Sequence, residues 1–237
     1  MRPWWPEIRA RWLGIRGGLE LQAGRYAEAE RLSQKALALT HAAGRSDGAL
    51  ALTLLNQLGM IYKYQGRYLE GRHVYRRGLI LARRRFGEEH LAIATLYHNL
   101  GGLEHARGRH SRGEPFARRA VAIRERGRGE NHPDVARDLA ALAAILDGRQ
   151  CHAEAERLHR RALGVLHSHL GANHRDVAAT LANLAACLHA QGRSAEATPM
   201  AERALAVTTR LLGASHPDTV VAAANLATMH RRSADRR

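Results

Sequence analysis

One short phrase recurs along the chain at a fixed interval, and it constrains the fold more than any other feature of the sequence. A glycine opens the phrase, at Gly87, Gly129, Gly171 and Gly213, and a histidine follows three residues later, at His90, His132, His174 and His216. Successive copies are 42 residues apart, and the same step separates Leu58, Leu100, Leu142, Leu184 and Leu226. An internal repeat of this length indicates a solenoid in which one supersecondary unit is stacked on the next.

Each repeat contains two helical patterns. In the first pattern Leu55, Leu58 and Tyr62 lie three and four residues apart, which places them on one helix face. In the second pattern Leu158 and Leu166 belong to a comparable apolar stripe. Strand-like alternation of β-branched and aromatic residues is missing, so the sequence predicts an all-α chain.

Glycine-containing phrases mark the predicted turns. Gly-Arg phrases at Gly66, Gly108 and Gly192 separate the two helices of a repeat, and in the third full repeat this phrase slips to Gly148, two residues early. The recurring Gly-x-x-His phrase joins one repeat to the next, where Pro133 fits the first turn of a helix.

The repeated histidines are predicted to be loop structure and not metal ligands. Equivalent positions in successive repeats stand at least one helix spacing apart, about 8–10 Å. Zinc holds each ligand within about 2.3 Å of the ion, so these histidines cannot share a site. Cys151 and Cys187 match neither a metal spacing nor a disulfide framework. We therefore expect no metal, no cofactor and a reducing, cytoplasmic setting.

The chain is basic, with 37 Lys and Arg against 22 Asp and Glu and a formal net charge of +15. Nearly all the cations are arginine, which suits an acidic or nucleic-acid partner. A compositional bias of the genome explains the same excess, since the arginines are spread along the whole chain. No apolar run approaches the roughly 18 residues that a membrane span needs.

The repeat resembles the tetratricopeptide repeats of kinesin light chains and their bacterial relatives. The matching segments are Asn183-Leu184-Ala185, Gln191-Gly192-Arg193, Ala195-Glu196 and Arg203-Ala204-Leu205. The resemblance covers about residues 24–230 and implies a right-handed superhelical solenoid of antiparallel helix pairs, with about eleven helices. The coiled-coil heptads of true kinesin light chains have no counterpart here, so a motor role is not expected.

The repeats divide the chain into three predicted parts. Residues 1–45 form an N-terminal cap and a degenerate first repeat, residues 46–214 form four repeats, and residues 215–237 form a single capping helix with a basic tail. Trp4, Trp5 and Trp12 cluster near the start. They suit either an N-terminal cap or a docking patch, and the cap is the preferred interpretation.

The first helices are expected to line a concave groove. Just before the repeated leucine stand Gln57, Asn99, Ala141, Asn183 and Asn225, rotated by about 100° from it toward the groove. Asn is a poorer helix former than Ala, so its recurrence at one helix position indicates a specific role for the side chain. A carboxamide both donates to and accepts from a peptide backbone. The resemblance implies peptide contact for Asn99, Asn183 and Asn225, while Ala141 interrupts the ladder; asparagines that only bond the next helix are the alternative.

Other polar residues share this stripe of the first helices and make it mildly basic. The candidate groove residues are Asn56, Gln57, Lys63, Thr95, His98, Asn99, His105, Arg137, Asn183, His189 and Asn225. An acidic or carboxylate-bearing peptide suits such a surface. Most of the arginines fall on the second helices instead, among them Arg76, Arg77, Arg118, Arg119, Arg160 and Arg161.

The sequence contains no recognisable catalytic motif, and the leading interpretation is a non-enzymatic protein- or peptide-binding scaffold. Neither a phosphate-binding loop nor H-E-x-x-H nor G-x-S-x-G is present. Two alternatives stay open: a basic nucleic-acid-binding or transcription-regulating module, and the sensor part of a larger signalling ATPase.

Overall fold

The structure, a computed structural model, describes residues 5–45 and 48–234. These residues form eleven α-helices and no β-strand, which confirms the predicted all-α architecture. The helices are α1 (Trp5–Gln22), α2 (Tyr26–Ala42), α3 (Ala49–Tyr64), α4 (Tyr68–Phe86), α5 (Leu91–Ala106), α6 (His110–Arg128), α7 (Pro133–Gly148), α8 (His152–Leu170), α9 (Arg175–Ala190), α10 (Ser194–Leu212) and α11 (Pro217–Ala234).

The helices group into two compact units that divide between Arg109 and His110. In unit 1, α1 packs on α2 and α3 packs on α4, while the first helices α1, α3 and α5 also contact one another in order. In unit 2, α7 packs on α8, α9 packs on α10, and α7, α9 and α11 are likewise in contact in order. Each unit thus has a layer of adjacent first helices. The three-part division of the chain by repeats stays a prediction.

The repeated leucines form the centre of each layer. Leu58, Leu100, Leu142 and Leu184 are all almost fully buried, as expected for one face of each first helix. The last helix, α11, adds Met229 to the cluster around Leu184 and so covers the final repeat. The opposite helix faces are polar, and none of the helices in the described ranges has the length and apolarity to cross a membrane.

Close helix packing requires the small residue that follows the repeated leucine. A β-carbon on Gly59 of α3 would collide with the ring of Tyr75 of α4. The Tyr75 side chain is completely buried and lies directly against this glycine. Glycine at 59 therefore supplies the space for an aromatic ring between the two helices of this repeat.

The turns follow the predicted glycines, with one correction. Gly66, Gly108 and Gly192 all adopt left-handed conformations with φ of 73°, 68° and 82°. In the third full repeat the turn does not slip to Gly148, which stays inside α7. Gln150, at the position that the period assigns to glycine, takes the left-handed conformation itself with φ of 63°. The absence of a side chain at Gly148 makes room for the His110 ring, because a β-carbon at 148 would collide with that ring.

The N-terminal helix caps unit 1 with aliphatic residues and not with tryptophan. Ala10 and Leu13 of α1 are buried, whereas Trp5 and Trp12 are 70% and 54% exposed. The expectation that these two tryptophans cover the end of the core was wrong, because they lie on the opposite side of the helix. Trp4 falls outside the described residues.

Candidate functional site

The candidate binding residues all lie on first helices, but they divide between the two units. We call the side of α3 and α5 that carries them the unit 1 face, and the side of α7, α9 and α11 the unit 2 face. The unit 1 face carries Asn56, Gln57, Lys63, Thr95, His98, Asn99 and His105; the unit 2 face carries Arg137, Asn183, His189 and Asn225.

Gln57 does not belong to the exposed part of the unit 1 face, contrary to the expectation from the sequence. Its side chain is buried, and its Nε2 donates to Oγ of Ser33 at 3.0 Å and to the carbonyl oxygen of Gly14 at 3.3 Å. These bonds tie α3 to α2 and α1. A longer side chain at this position reaches into the helix interface, so Gln57 is a structural residue and is removed from the candidate site.

The carboxamide of Asn99 forms a hydrogen bond with a carboxamide on the neighbouring first helix. Its Nδ2 donates to Oδ1 of Asn56 at 2.6 Å, which links α5 to α3 across the unit 1 face. Both side chains are half-buried. A carboxamide has four hydrogen-bonding positions, so this pair retains donors and acceptors for a further ligand.

A cavity of about 350 Å³ opens between the N-terminal halves of α3 and α5. Asn56 and Thr95 line it together with Thr53, and the rest of the lining is mostly apolar. At one end the rings of Phe86 and His90 stack with their centroids 4.2 Å apart. The unit 1 face therefore combines an apolar recess with polar groups beside it, which is the usual composition of a binding site.

Lys63 lies near the other end of the same face. Its ammonium group approaches Gly102 of α5, where a β-carbon would be 3.4 Å from Nζ. Burial lowers the pKa of Lys63, because the charged form loses hydration. No acidic side chain in the described parts of the chain lies within ion-pair distance of it. A carboxylate from a partner would restore the interactions that this ammonium group lacks.

The unit 2 face is different, since its candidate cation is already paired. Nε of Arg137 donates to Oδ2 of Asp176 at 2.6 Å, and its Nη1 donates to Oδ1 of Asp134 at 2.6 Å. The expected basic character of the groove is therefore compensated at this position. Nδ1 of His189 lies 2.9 Å from Oγ of Ser194, which ties the end of α9 to the start of α10.

The carboxamides of unit 2 are more accessible than those of unit 1. Asn183 and Asn225 are exposed on α9 and α11, and Ala141 on α7 supplies no polar group at the equivalent position. In unit 2 the ladder thus consists of two separate asparagines.

The repeated histidines have the structural role that the sequence predicted, and the structure shows the chemistry. Nδ1 of His90, His132, His174 and His216 accepts a hydrogen bond from the backbone N–H two residues later, at 3.1 Å in every case. Each imidazole thus satisfies one of the unpaired N–H groups at a helix start, a role usually filled by Ser, Thr, Asp or Asn. Histidine is rare at the N-cap position of a helix. The sequence therefore predicted a structural role in the loop, but not this hydrogen bond to the backbone N–H.

Two exposed second-helix arginines of unit 2 are paired with glutamates. Arg118 contacts Glu114 and Glu154, and Arg160 contacts Glu156. Arginines paired in this way have less to gain from a phosphate backbone, so Arg118 and Arg160 are weak candidates for phosphate contacts.

Sequence and structure comparisons place this geometry in a known family. The family model described as tetratricopeptide repeat matches residues 49–126, 93–168, 139–208 and 176–237. No curated protein matches the chain significantly.

Several solved structures share the fold. BtubC (BKLC) from P. vanneervenii superposes with a TM-score of 0.72 at 23% identity, covering 90% of this chain and 84% of that one. A putative kinesin light chain from Podosopora anserina with nearly identical TPR-like repeats gives 0.68 at 21% identity, covering 87% and 98%. A Rap protein complexed with Competence and Sporulation Factor gives 0.66 at 14% identity, covering 97% and 66%. The repeat matches, which together span most of the chain, show that it belongs to the tetratricopeptide repeat family.

Proposed function

We propose that this chain is a non-enzymatic scaffold that binds an acidic segment of a protein partner on the first helices of its repeats. Tetratricopeptide repeat scaffolds are typical of protein–protein interaction, and proteins of this family are generally not enzymes. The Rap protein of similar fold was solved in complex with Competence and Sporulation Factor, which supports partner binding as the function of this chain. The two free cysteines, Cys151 and Cys187, suit a cytoplasmic setting for this interaction.

The observation that carries the proposal is the half-buried Lys63 on the unit 1 face. A desolvated ammonium group without an acidic neighbour is unfavourable in the unbound chain, and its pKa is lowered accordingly. A partner carboxylate placed beside Nζ would form a charge-assisted hydrogen bond that offsets the desolvation free energy of the ammonium group. The proposal therefore assigns an Asp, a Glu or a C-terminal carboxylate of the partner to Lys63.

The carboxamide pair of Asn56 and Asn99 supplies the second contact. These side chains are one to two helical turns from Lys63 and Gly102 along α3 and α5, a distance of roughly 5–10 Å at 1.5 Å per residue. They suit the backbone of an extended or short helical segment, because an amide pairs with a peptide group regardless of sequence. Thr95, His98 and His105 belong to the same face and are proposed as neighbouring contacts.

Unit 2 is proposed to add further backbone contacts. The exposed carboxamides of Asn183 and Asn225 are proposed to bind backbone in the same way, and His189 and Arg137 border them. Arg137 is the weaker candidate for a carboxylate, because Asp134 and Asp176 already hold its guanidinium group.

Selection from a displayed library of random peptides tests this function and needs no purified partner. Peptides selected on the full chain are expected to carry Asp, Glu or a free C-terminal carboxylate. Replacing Lys63 by Gln should weaken their binding by about 10- to 100-fold, the effect of losing one charge-assisted hydrogen bond.

The matched control replaces Arg76 and Arg77 by Gln. Both arginines are exposed on the second helix α4, so the change removes two positive charges away from the proposed site. Peptide binding should be unchanged at physiological salt. Peptides that bind the Lys63→Gln variant as well as the parent, or lose binding only in the arginine variant, would refute the assignment. Tight, salt-sensitive binding to nucleic acid with no selected peptide would favour the nucleic-acid alternative instead.

A further inference from the structure

A carboxylate, an imidazole and a thiol meet in unit 2. Asp147 lies near the end of α7, His152 begins α8, and Cys187 lies on α9. One potential ligand atom from each of the three residues lies within 4.8 Å of the others. Oδ1 of Asp147 and Nδ1 of His152 are 3.1 Å apart.

We propose that Asp147, His152 and Cys187 bind one Zn²⁺ ion. Zinc takes thiolate, imidazole and carboxylate ligands at about 2.0–2.3 Å, so tetrahedral coordination places its ligand atoms roughly 3.3–3.6 Å apart. The three side chains need only small movements to reach this geometry. A thiolate and a carboxylate together balance the charge of the ion, and water completes the tetrahedron.

A fourth residue holds the cluster in place. His159 is completely buried, and its Nε2 lies 3.2 Å from Oδ2 of Asp147. An ionised carboxylate only accepts, so the imidazole donates this bond and leaves Oδ1 directed at the His152 side. Hydrogen bonds of this kind to ligating carboxylates orient the ligand and raise metal affinity. Nδ1 of His159 has no hydrogen-bond partner within the described structure, so the contact of Nε2 with Asp147 is the polar contact that orients this ring.

The other repeats provide an internal comparison for this cluster. At the position of Cys187 they carry only aliphatic or thioether side chains: Ile61, Leu103, Ile145 and Met229. At the position of Asp147 the degenerate first repeat carries Leu21, and the other first helices carry basic or imidazole side chains: Lys63, His105, His189 and Arg231. The thiol and the carboxylate therefore occur together in one repeat interface and in none of the others. A packing requirement common to all repeats does not explain that coincidence.

A nucleophilic thiol is the other chemistry that Cys, His and Asp suggest together. Burial, followed by the hydrogen bond with Asp147, raises the pKa of Cys187 to about 12. A thiol that remains protonated at neutral pH is a poor nucleophile, so this arrangement does not suit catalysis. A Zn²⁺ ion bound beside the sulfur displaces the thiol proton, so the same thiol still serves as a metal ligand. Asp147 and His152 remain partly exposed, with 21% and 26% of their side chains accessible, which gives a metal ion a path to the cluster.

Titration of the reduced, chelator-treated full chain with Co²⁺ tests the site. Cobalt is a spectroscopic stand-in for zinc, and coordination by sulfur produces an intense near-ultraviolet band that histidine-only binding does not. We expect this band to saturate at one equivalent and to disappear when Zn²⁺ is added. Absence of a sulfur band in the parent chain would overturn the proposal, whatever the variants do.

Three variants identify the ligands. Cys187→Ser should abolish the band, and Asp147→Asn should weaken cobalt binding at least tenfold, both with helical circular dichroism like the parent. Cys151→Ser is the matched control, because this half-buried cysteine lies next to His152 but outside the cluster. A band that survives Cys187→Ser and is lost in Cys151→Ser would assign the metal to a different site and refute the proposal.

Discussion

Nδ2 of Asn99 donates a hydrogen bond to Oδ1 of Asn56 across the unit 1 face, at 2.6 Å. Gln57, the residue in the same repeat phase as Asn99, turns into the core and bonds Ser33 and Gly14 instead. One repeat position thus bonds a half-buried carboxamide on the unit 1 face in one copy and groups inside the helix interface in the other.

Alanine substitutions at these two positions should separate the roles. Gln57→Ala leaves the Ser33 hydroxyl and the Gly14 carbonyl without this partner inside the helix interface, so unfolding free energy should fall by about 1–3 kcal/mol. Asn99→Ala loses a half-buried bond but gains helix propensity, so its stability should change by less than about 1 kcal/mol. Urea unfolding followed by circular dichroism measures both. Equal losses in the two variants would contradict the distinction.

The contact between Gly59 and Tyr75 makes the smallest possible substitution costly. Gly59→Ala places a methyl group against a buried ring, and we expect a loss of about 1–3 kcal/mol from overpacking despite the better helix propensity of alanine. Gly164 of α8 is the matched control, because nothing lies within 4 Å of a β-carbon there. Gly164→Ala should stabilise the chain by about 0.5–1 kcal/mol in thermal or urea unfolding. Stabilisation by both substitutions would contradict the tight contact between Gly59 and the Tyr75 ring.

The left-handed conformation of Gln150 predicts a stabilising substitution. This residue has φ of 63°, in a turn where the equivalent residues Gly108 and Gly192 are glycine. Gln150→Gly should raise the unfolding free energy by about 1 kcal/mol, because glycine adopts this conformation without a β-carbon penalty. The converse change, Gly192→Gln, should lower it by a similar amount. A destabilising Gln150→Gly variant would show that the Gln150 side chain makes a contact worth more than the backbone strain.

The N-terminal helix offers a test of which residues cap unit 1. Leu13 is 6% exposed, and Leu13→Ala should cost about 2–5 kcal/mol through lost burial and a residual cavity. Trp12, its neighbour, is 54% exposed, and Trp12→Gln should change stability by less than about 1 kcal/mol. Denaturant unfolding of the two variants compares them directly. A larger loss for Trp12 would restore the tryptophan cap that the sequence suggested.

The repeat period made most of the fold predictable. Leu58, Leu100, Leu142 and Leu184 recur at one helix position, and a residue that is apolar in every copy has to face the common core. The sequence placed the turn of the third full repeat at Gly148, because Gly148 and Arg149 have the same residue types as the usual turn phrase. The 42-residue spacing of the buried leucines places the turn at Gln150 instead, where the structure has it.

The candidate site was less predictable, since it depends on departures from the repeat. Helix phase alone assigns Gln57 and Asn99 to one class, but the longer glutamine side chain reaches partners on two other helices. Asp147 and Cys187 stand 40 residues apart in the sequence and match no local metal spacing. The two side chains are close because the first helices α7 and α9 pack side by side. A search for local sequence motifs does not detect proximity that depends on tertiary packing.

The contact between Lys63 and a partner carboxylate is the central claim, and a double-mutant cycle tests it most directly. The cycle uses two proteins, the parent chain and Lys63→Ala. It also uses two peptides, a selected acidic peptide and the same peptide with its acidic residue replaced by Ala, and the affinity of each protein for each peptide is measured. If the two groups meet, each single change weakens binding and the double change costs less than their sum, by about 1–3 kcal/mol of coupling. Additive losses, with coupling near zero for every acidic position of the peptide, would contradict the account.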